Sequence, residues 1–146
     1  MNIRTVSAVT FLLALTAGCA TTAHEAQPGE IRAAEPIRDG VDSFLTLAMA
    51  GEYARIAELV VPGQAAGFNG RVFVEDRFRM PPARFEIIAW DRNLIRVVER
   101  SEQPGALSSV PVLIRELATN ETRTVFLNLH WQRAGGRWRL EPYPRE

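Results

Sequence analysis

Residues 122–133 alternate apolar and polar side chains with a period of two. Val125, Leu127, Leu129 and Trp131 fall on one parity, and Thr124, Asn128, His130 and Gln132 fall on the other together with Phe126. A segment that keeps this period reads as a β-strand with one dry face and one mostly wet face. Such a strand needs antiparallel neighbours to satisfy its backbone and a second layer to cover its dry side.

The neighbours are present on either side. Phe85, Ile87 and Ala89 alternate with Glu86, Ile88 and Trp90, and Asp91-Arg92-Asn93 reads as a turn into a strand over 94–100, giving a hairpin. A loop over 101–109 containing Pro104-Gly105 leads to a strand over 110–118. Thr119-Asn120-Glu121 then turns the chain into the alternating strand, and Gly135-Gly136 turns that strand into 137–141.

The covering layer comes from the region before residue 63. Pro36 suits the first turn of a helix, and Ile37, Val41, Phe44, Leu45 and Ala48 recur at spacings of three and four. Gly51 ends that pattern. Tyr53, Ile56, Ala57 and Val60 begin a shorter helical one, which Pro62-Gly63 stops. Residues 64–80 leave two readings open: Val72, Val74, Phe78 and Met80 alternate like a strand with Asp76 intruding, and a third short helix fits as well. Helices first and antiparallel strands after them make an α+β domain over 36–146, with the helices packed on one face of a curved sheet.

The chain has 146 residues, 47% of them hydrophobic, which suits one domain with a real core. Seventeen basic and seventeen acidic side chains cancel, so no basic field exists to attract a phosphate backbone, and nucleic acid is not an expected partner. Every basic residue is arginine. The absence of lysine removes Schiff-base and P-loop chemistry.

The first residues read as an address. Met1 to Arg4 is a short basic region, and an apolar stretch follows that is broken only by Ser7, Thr10 and Thr16 and is too short to span a bilayer. It ends in Leu15-Thr16-Ala17-Gly18-Cys19, which resembles the lipobox of bacterial lipoproteins. The resemblance implies a signal peptide over 1–18, cleavage before Cys19, and acylation of that cysteine, the only one in the chain. Two or more acyl chains make a stable membrane anchor. Ala20 stands where aspartate would signal retention in the inner membrane, so the resemblance implies the periplasmic leaflet of the outer membrane in a Gram-negative cell. Residues 19–35, with Pro28-Gly29 and few large apolar side chains, read as the lipidated terminus and a flexible tether.

The order of elements, with the run from Val41 through Gly51-Glu52-Tyr53 and the closing His130-Trp131-Gln132-Arg133-Ala134-Gly135-Gly136-Arg137-Trp138, is similar to that of the nuclear transport factor 2-like superfamily. That resemblance implies a cone with a cavity between sheet and helices. In the superfamily such a cavity serves catalysis, ligand binding or neither, so fold alone does not decide function.

An isomerase or dehydratase in such a cone needs a base and a hydrogen-bond donor projecting into one cavity. Asp76 and Tyr53 are the pair available, set against the commoner reading of a solvated aspartate and a core tyrosine. Trp90, Trp131, Trp138 and His130 are the candidates for lining a ligand pocket. Against this, tryptophans on neighbouring strands more often form core pairs, and a histidine on the wet parity points outward. His24 and His130 are the only histidines, and no Cys/His/carboxylate cluster accompanies them, so neither a metal nor another cofactor is expected. No GxSxG, HExxH or P-loop pattern occurs. The expectation is a lipid-anchored envelope domain that binds a small apolar ligand or an envelope protein without catalysis. A small enzyme using Asp76 and Tyr53 is the alternative.

Overall fold

The structure is a computed structural model, and it describes residues 34–100 and 104–144. The signal peptide, Cys19, His24 and nearly all of the tether lie outside the described residues. Within them, N-terminal helices precede a strongly curled antiparallel sheet, a half-barrel, in an α+β arrangement.

Helix α1 spans Glu35–Met49, one residue earlier at its start than Pro36 suggests. It buries Ile37, Val41, Phe44, Leu45 and Ala48, the stripe that the spacing marks out. Each large side chain of that stripe contributes roughly 1.5–3 kcal/mol relative to exposure. Gly40 lies on the same side of the helix because nothing larger fits: a Cβ there would stand 2.6 Å from the Trp131 ring. The helix backbone therefore rests directly on the sheet's central tryptophan.

Residues Tyr53–Leu59 form a 3-10 helix, tighter than the α-helical pattern anticipated, and Ile56 is its buried anchor. That helix ends at Leu59, ahead of Pro62-Gly63, and Pro62, tolerated at a first helical position, opens the further single turn α2, Pro62–Ala65. Residues 64–80 resolve in favour of helix, with α3 spanning Gly70–Phe78. The Asn69 side chain accepts the Val72 N–H at 3.1 Å, and Phe73, Val74 and Phe78 turn inward at helical spacing. Val72, one of the four apolar residues in the apparent strand alternation, is exposed. Gly70 is obligatory here, since a Cβ would meet the Tyr53 carbonyl oxygen at 2.0 Å.

The sheet holds β1 (Phe85–Trp90), β2 (Arg96–Glu99), β3 (Ala106–Glu116), β4 (Thr122–Ala134) and β5 (Arg137–Leu140). The order β1-β3-β4-β5 is antiparallel throughout, and β2 also pairs with β3. The expected β1–β2 hairpin is therefore not formed. Asp91 accepts the Asn93 N–H at 2.8 Å, and the 3-10 turn Arg92–Leu94 carries the chain onward instead of back. β1 and β2 thus lie end to end along one edge of β3, paired with residues 112–116 and 106–109. Pro111 falls in the gap between them, where no ladder partner is required on that side.

β3 starts earlier than its aliphatic residues suggest, because Ser108 takes a buried position within the run Ala106, Ser108, Val110, Val112 and Ile114. β4 keeps its two parities as read: Leu127, Leu129 and Trp131 join the core with α1, and Phe126 stands exposed on the other side. Val61 N–H donates to the Leu140 carbonyl at 2.9 Å, tying the helical region to β5.

Candidate functional site

Two open depressions flank α3. The first, about 330 Å³, lies among Ala48 and Met49 at the end of α1, Tyr53, Val74 of α3, Pro82, and Phe85, Glu86 and Ile87 of β1. Six of these eight residues are apolar. The Tyr53 hydroxyl makes no hydrogen bond within the described residues, so it is free to receive a ligand. Glu86 is held by Arg115 on the neighbouring strand.

The second depression, about 350 Å³, opens where Asp76, Arg77 and Arg79 of the α3 end meet Phe126 and Asn128 of β4. Asp76 is exposed and accepts a hydrogen bond from Arg77 Nη2 at 2.7 Å. It does not interrupt a buried face, since α3 turns it outward. Tyr53 and Asp76 therefore line different depressions, and the acid/base pair that an isomerase would need is not assembled.

The four ligand-lining candidates are dispersed as well, and none lines either depression. Trp131 is in the core, its Nε1–H donating to Ser108 Oγ at 2.8 Å. Trp90 faces α1 and donates to Asp42 Oδ1 at 2.8 Å. Trp138 lies on β5 with the Arg133 guanidinium over its ring, 5.8 Å from the centroid.

His130 is half-buried on β4. Its Nδ1 is enclosed with no hydrogen-bond partner among the described residues. Burial lowers its proton affinity first, the positive charges of Arg100 and Arg77 lower it further, and Glu141 opposes them. Arg100 and Glu141 form a nearly buried ion pair at 2.7 Å, and the Glu141 N–H donates to the His130 carbonyl.

A further polar constellation was not singled out from the sequence as a unit. Glu35, Asp39 and Asp42 share one face of α1 at helical spacing, and Arg92 of the β1–β2 turn reaches all three. These carboxylates raise the proton affinity of Arg92, while hydrogen bonds from Arg92 and then Arg38 hold the Glu35 carboxyl below its ordinary range. The spacing of the acids was visible, but the partner 50 residues away was not. Every charge in this seam is answered, so it fastens α1 to the sheet edge and leaves little for a ligand.

Among the described residues no three His, Cys, Asp or Glu side chains converge on a metal position, and no helix is long and apolar enough to cross a membrane. No protein-family model matches the chain, and no curated protein does.

Proposed function

We propose that this chain is a lipid-anchored cell-envelope lipoprotein. Its single domain, a nuclear transport factor 2-like cone, binds a small apolar ligand without catalysing a reaction. The anchor rests on one observation, the Ala17-Gly18-Cys19 ending of a short apolar stretch that carries the only cysteine in the chain. Ligand binding is supported by the depression beside Tyr53, whose hydroxyl makes no hydrogen bond among the described residues. The helices-first order and the strong curl of the sheet support the cone. In a Gram-negative cell the anchor sits in the periplasmic leaflet of the outer membrane, and the tether holds the domain off the headgroups.

The test is fractionation followed by native mass spectrometry of the full chain extracted from its own envelope in mild detergent. The wild type is expected in the membrane fraction with the added mass of its acyl chains, and Cys19→Ser is expected to lose both. A small molecule that travels with the wild type and is lost in Tyr53→Ala supports binding at this depression. An unacylated chain that stays soluble overturns the anchor, and a ligand that Tyr53→Ala retains overturns the site.

A further inference from the structure

The depression between α3 and β4 combines three features that structural packing does not explain. First, Arg79 is exposed, and among the described residues its guanidinium makes no hydrogen bond or ion pair. It also occupies a left-handed backbone position, φ 54°, at the C-terminal cap of α3. Glycine is the usual residue there because it has no Cβ to clash. An arginine kept at a conformation that costs it energy, with a guanidinium that the described fold leaves unpaired, is available to a partner outside the fold.

Second, the Asn128 side-chain amide has no hydrogen-bond partner among the described residues either, although it lines the depression with Arg77 and Arg79. Arg77 itself is held in place, with its guanidinium 5.0 Å from the centre of the Phe73 ring and Nη2 on Asp76. Its enclosed Nε–H still has no acceptor among the described residues. Third, Phe126, 68% exposed, borders the same depression with its ring.

The charges decide what such a place would hold. Asp76 is answered by Arg77, so among the residues lining the depression one positive charge, that of Arg79, is left over. One uncancelled guanidinium, an adjacent amide donor and an exposed ring suit a monoanion with a flat apolar body. Arginine offers two parallel N–H donors to a carboxylate, the amide N–H₂ adds another, and the ring stacks on the body. A bare inorganic anion would leave Phe126 unused, and a cation would meet two guanidiniums.

We propose that the α3–β4 depression binds small aromatic carboxylates, with Arg79 and Asn128 holding the carboxylate and Phe126 stacking on the ring. This site is separate from the depression beside Tyr53 and stands whether or not that one is occupied.

The experiment titrates the full chain with sodium benzoate and, in parallel, with its neutral isostere benzamide, by isothermal calorimetry. Benzoate is expected to saturate one site, with benzamide at least about tenfold weaker, the scale of a lost charge-assisted hydrogen bond. Arg79→Gly removes the guanidinium and relieves the backbone, so it is expected to fold at least as well as the wild type and to weaken benzoate about tenfold or more. Asn128→Asp keeps the side-chain shape and adds a repelling charge, and is expected to abolish benzoate binding with an unchanged melting temperature. Equal binding of benzoate and benzamide, full benzoate affinity in Arg79→Gly, or no saturation by millimolar benzoate would each overturn the proposal.

Discussion

The two faces of β4 belong to the same thirteen residues and share the same backbone ladder, yet their side chains meet opposite conditions. On the odd parity Leu127, Leu129 and Trp131 lie in the core, and the polar atom there is answered: Trp131 Nε1–H donates to Ser108 Oγ, which in turn reaches the Leu129 carbonyl at 3.4 Å. On the even parity Phe126 is exposed, and among the described residues the Asn128 amide and the enclosed Nδ1 of His130 have no hydrogen-bond partner. A buried polar group costs stability unless it is paired, so the odd face is what a folding constraint produces. The even face carries groups that folding has not used, and those groups are available to something else.

The largest expected effect is on the odd face. Trp131→Ala removes a fully buried side chain, opens a cavity beneath Gly40 and leaves Ser108 without its donor. Urea unfolding should show a loss of about 3–5 kcal/mol. A loss below about 1 kcal/mol would mean that α1 can collapse onto the sheet without the indole, and the contrast between the faces would be weaker than the burial implies.

How much of this was legible in the chain follows from the range of the interactions involved. The parity of β4, the buried stripe of α1 and the strand at Phe85–Trp90 depend on local periodicity, and all were readable. The pairing of β1 and β2 was not. A turn at Asp91 looks the same whether the chain folds back or runs on, and the choice is made by β3, which is long enough to accept both strands in line. α3 was ambiguous because Val72 and Val74 mimic alternation, and the asparagine cap and the glycine under Tyr53 resolve it. The Asp76 and Tyr53 pairing assumed a shared cavity that a helical α3 does not provide. Arg79 was illegible as a site residue, because nothing in the sequence marks an arginine at positive φ or tells which strand its helix end will face.

The second prediction sharpens the comparison from the helix side. Arg79→Gly replaces a side chain that makes no hydrogen bond or ion pair among the described residues and puts the preferred residue at the left-handed cap. Thermal unfolding should show a gain of roughly 0.5–1 kcal/mol. A destabilised variant would reveal that the guanidinium supports the fold, and the even face would no longer count as unused.

A smaller effect depends on pH. The folded chain holds the His130 pKa below its ordinary 6.5, through burial first and then through Arg100 and Arg77, with Glu141 opposing. As the pH falls, the unfolded chain therefore takes up this proton first. The stability that the neutral histidine contributes is present above the unfolded pKa and is lost as the pH drops toward the folded one. His130→Gln should flatten the decline in melting temperature between neutral and mildly acidic pH, leaving the steeper loss below about pH 4.5, where carboxylates such as Glu35 become protonated, unchanged. Identical slopes for both proteins would show that His130 is not desolvated in solution.

The smallest effect on stability belongs to Phe126. Its ring is mostly exposed and no aromatic pair anchors it, so Phe126→Ser should alter the unfolding free energy by no more than about 0.5 kcal/mol, the range of an ordinary surface change. Placed beside Trp131→Ala, five residues along the same strand, it makes a controlled comparison: two large aromatic side chains, opposite parities, and an expected several-fold difference in cost. If Phe126→Ser proved as damaging as the tryptophan change, the even face would be packed against something within the fold, and its exposed groups would have to be read as core. If it leaves stability alone but removes benzoate binding, the strand serves folding with one parity and recognition with the other.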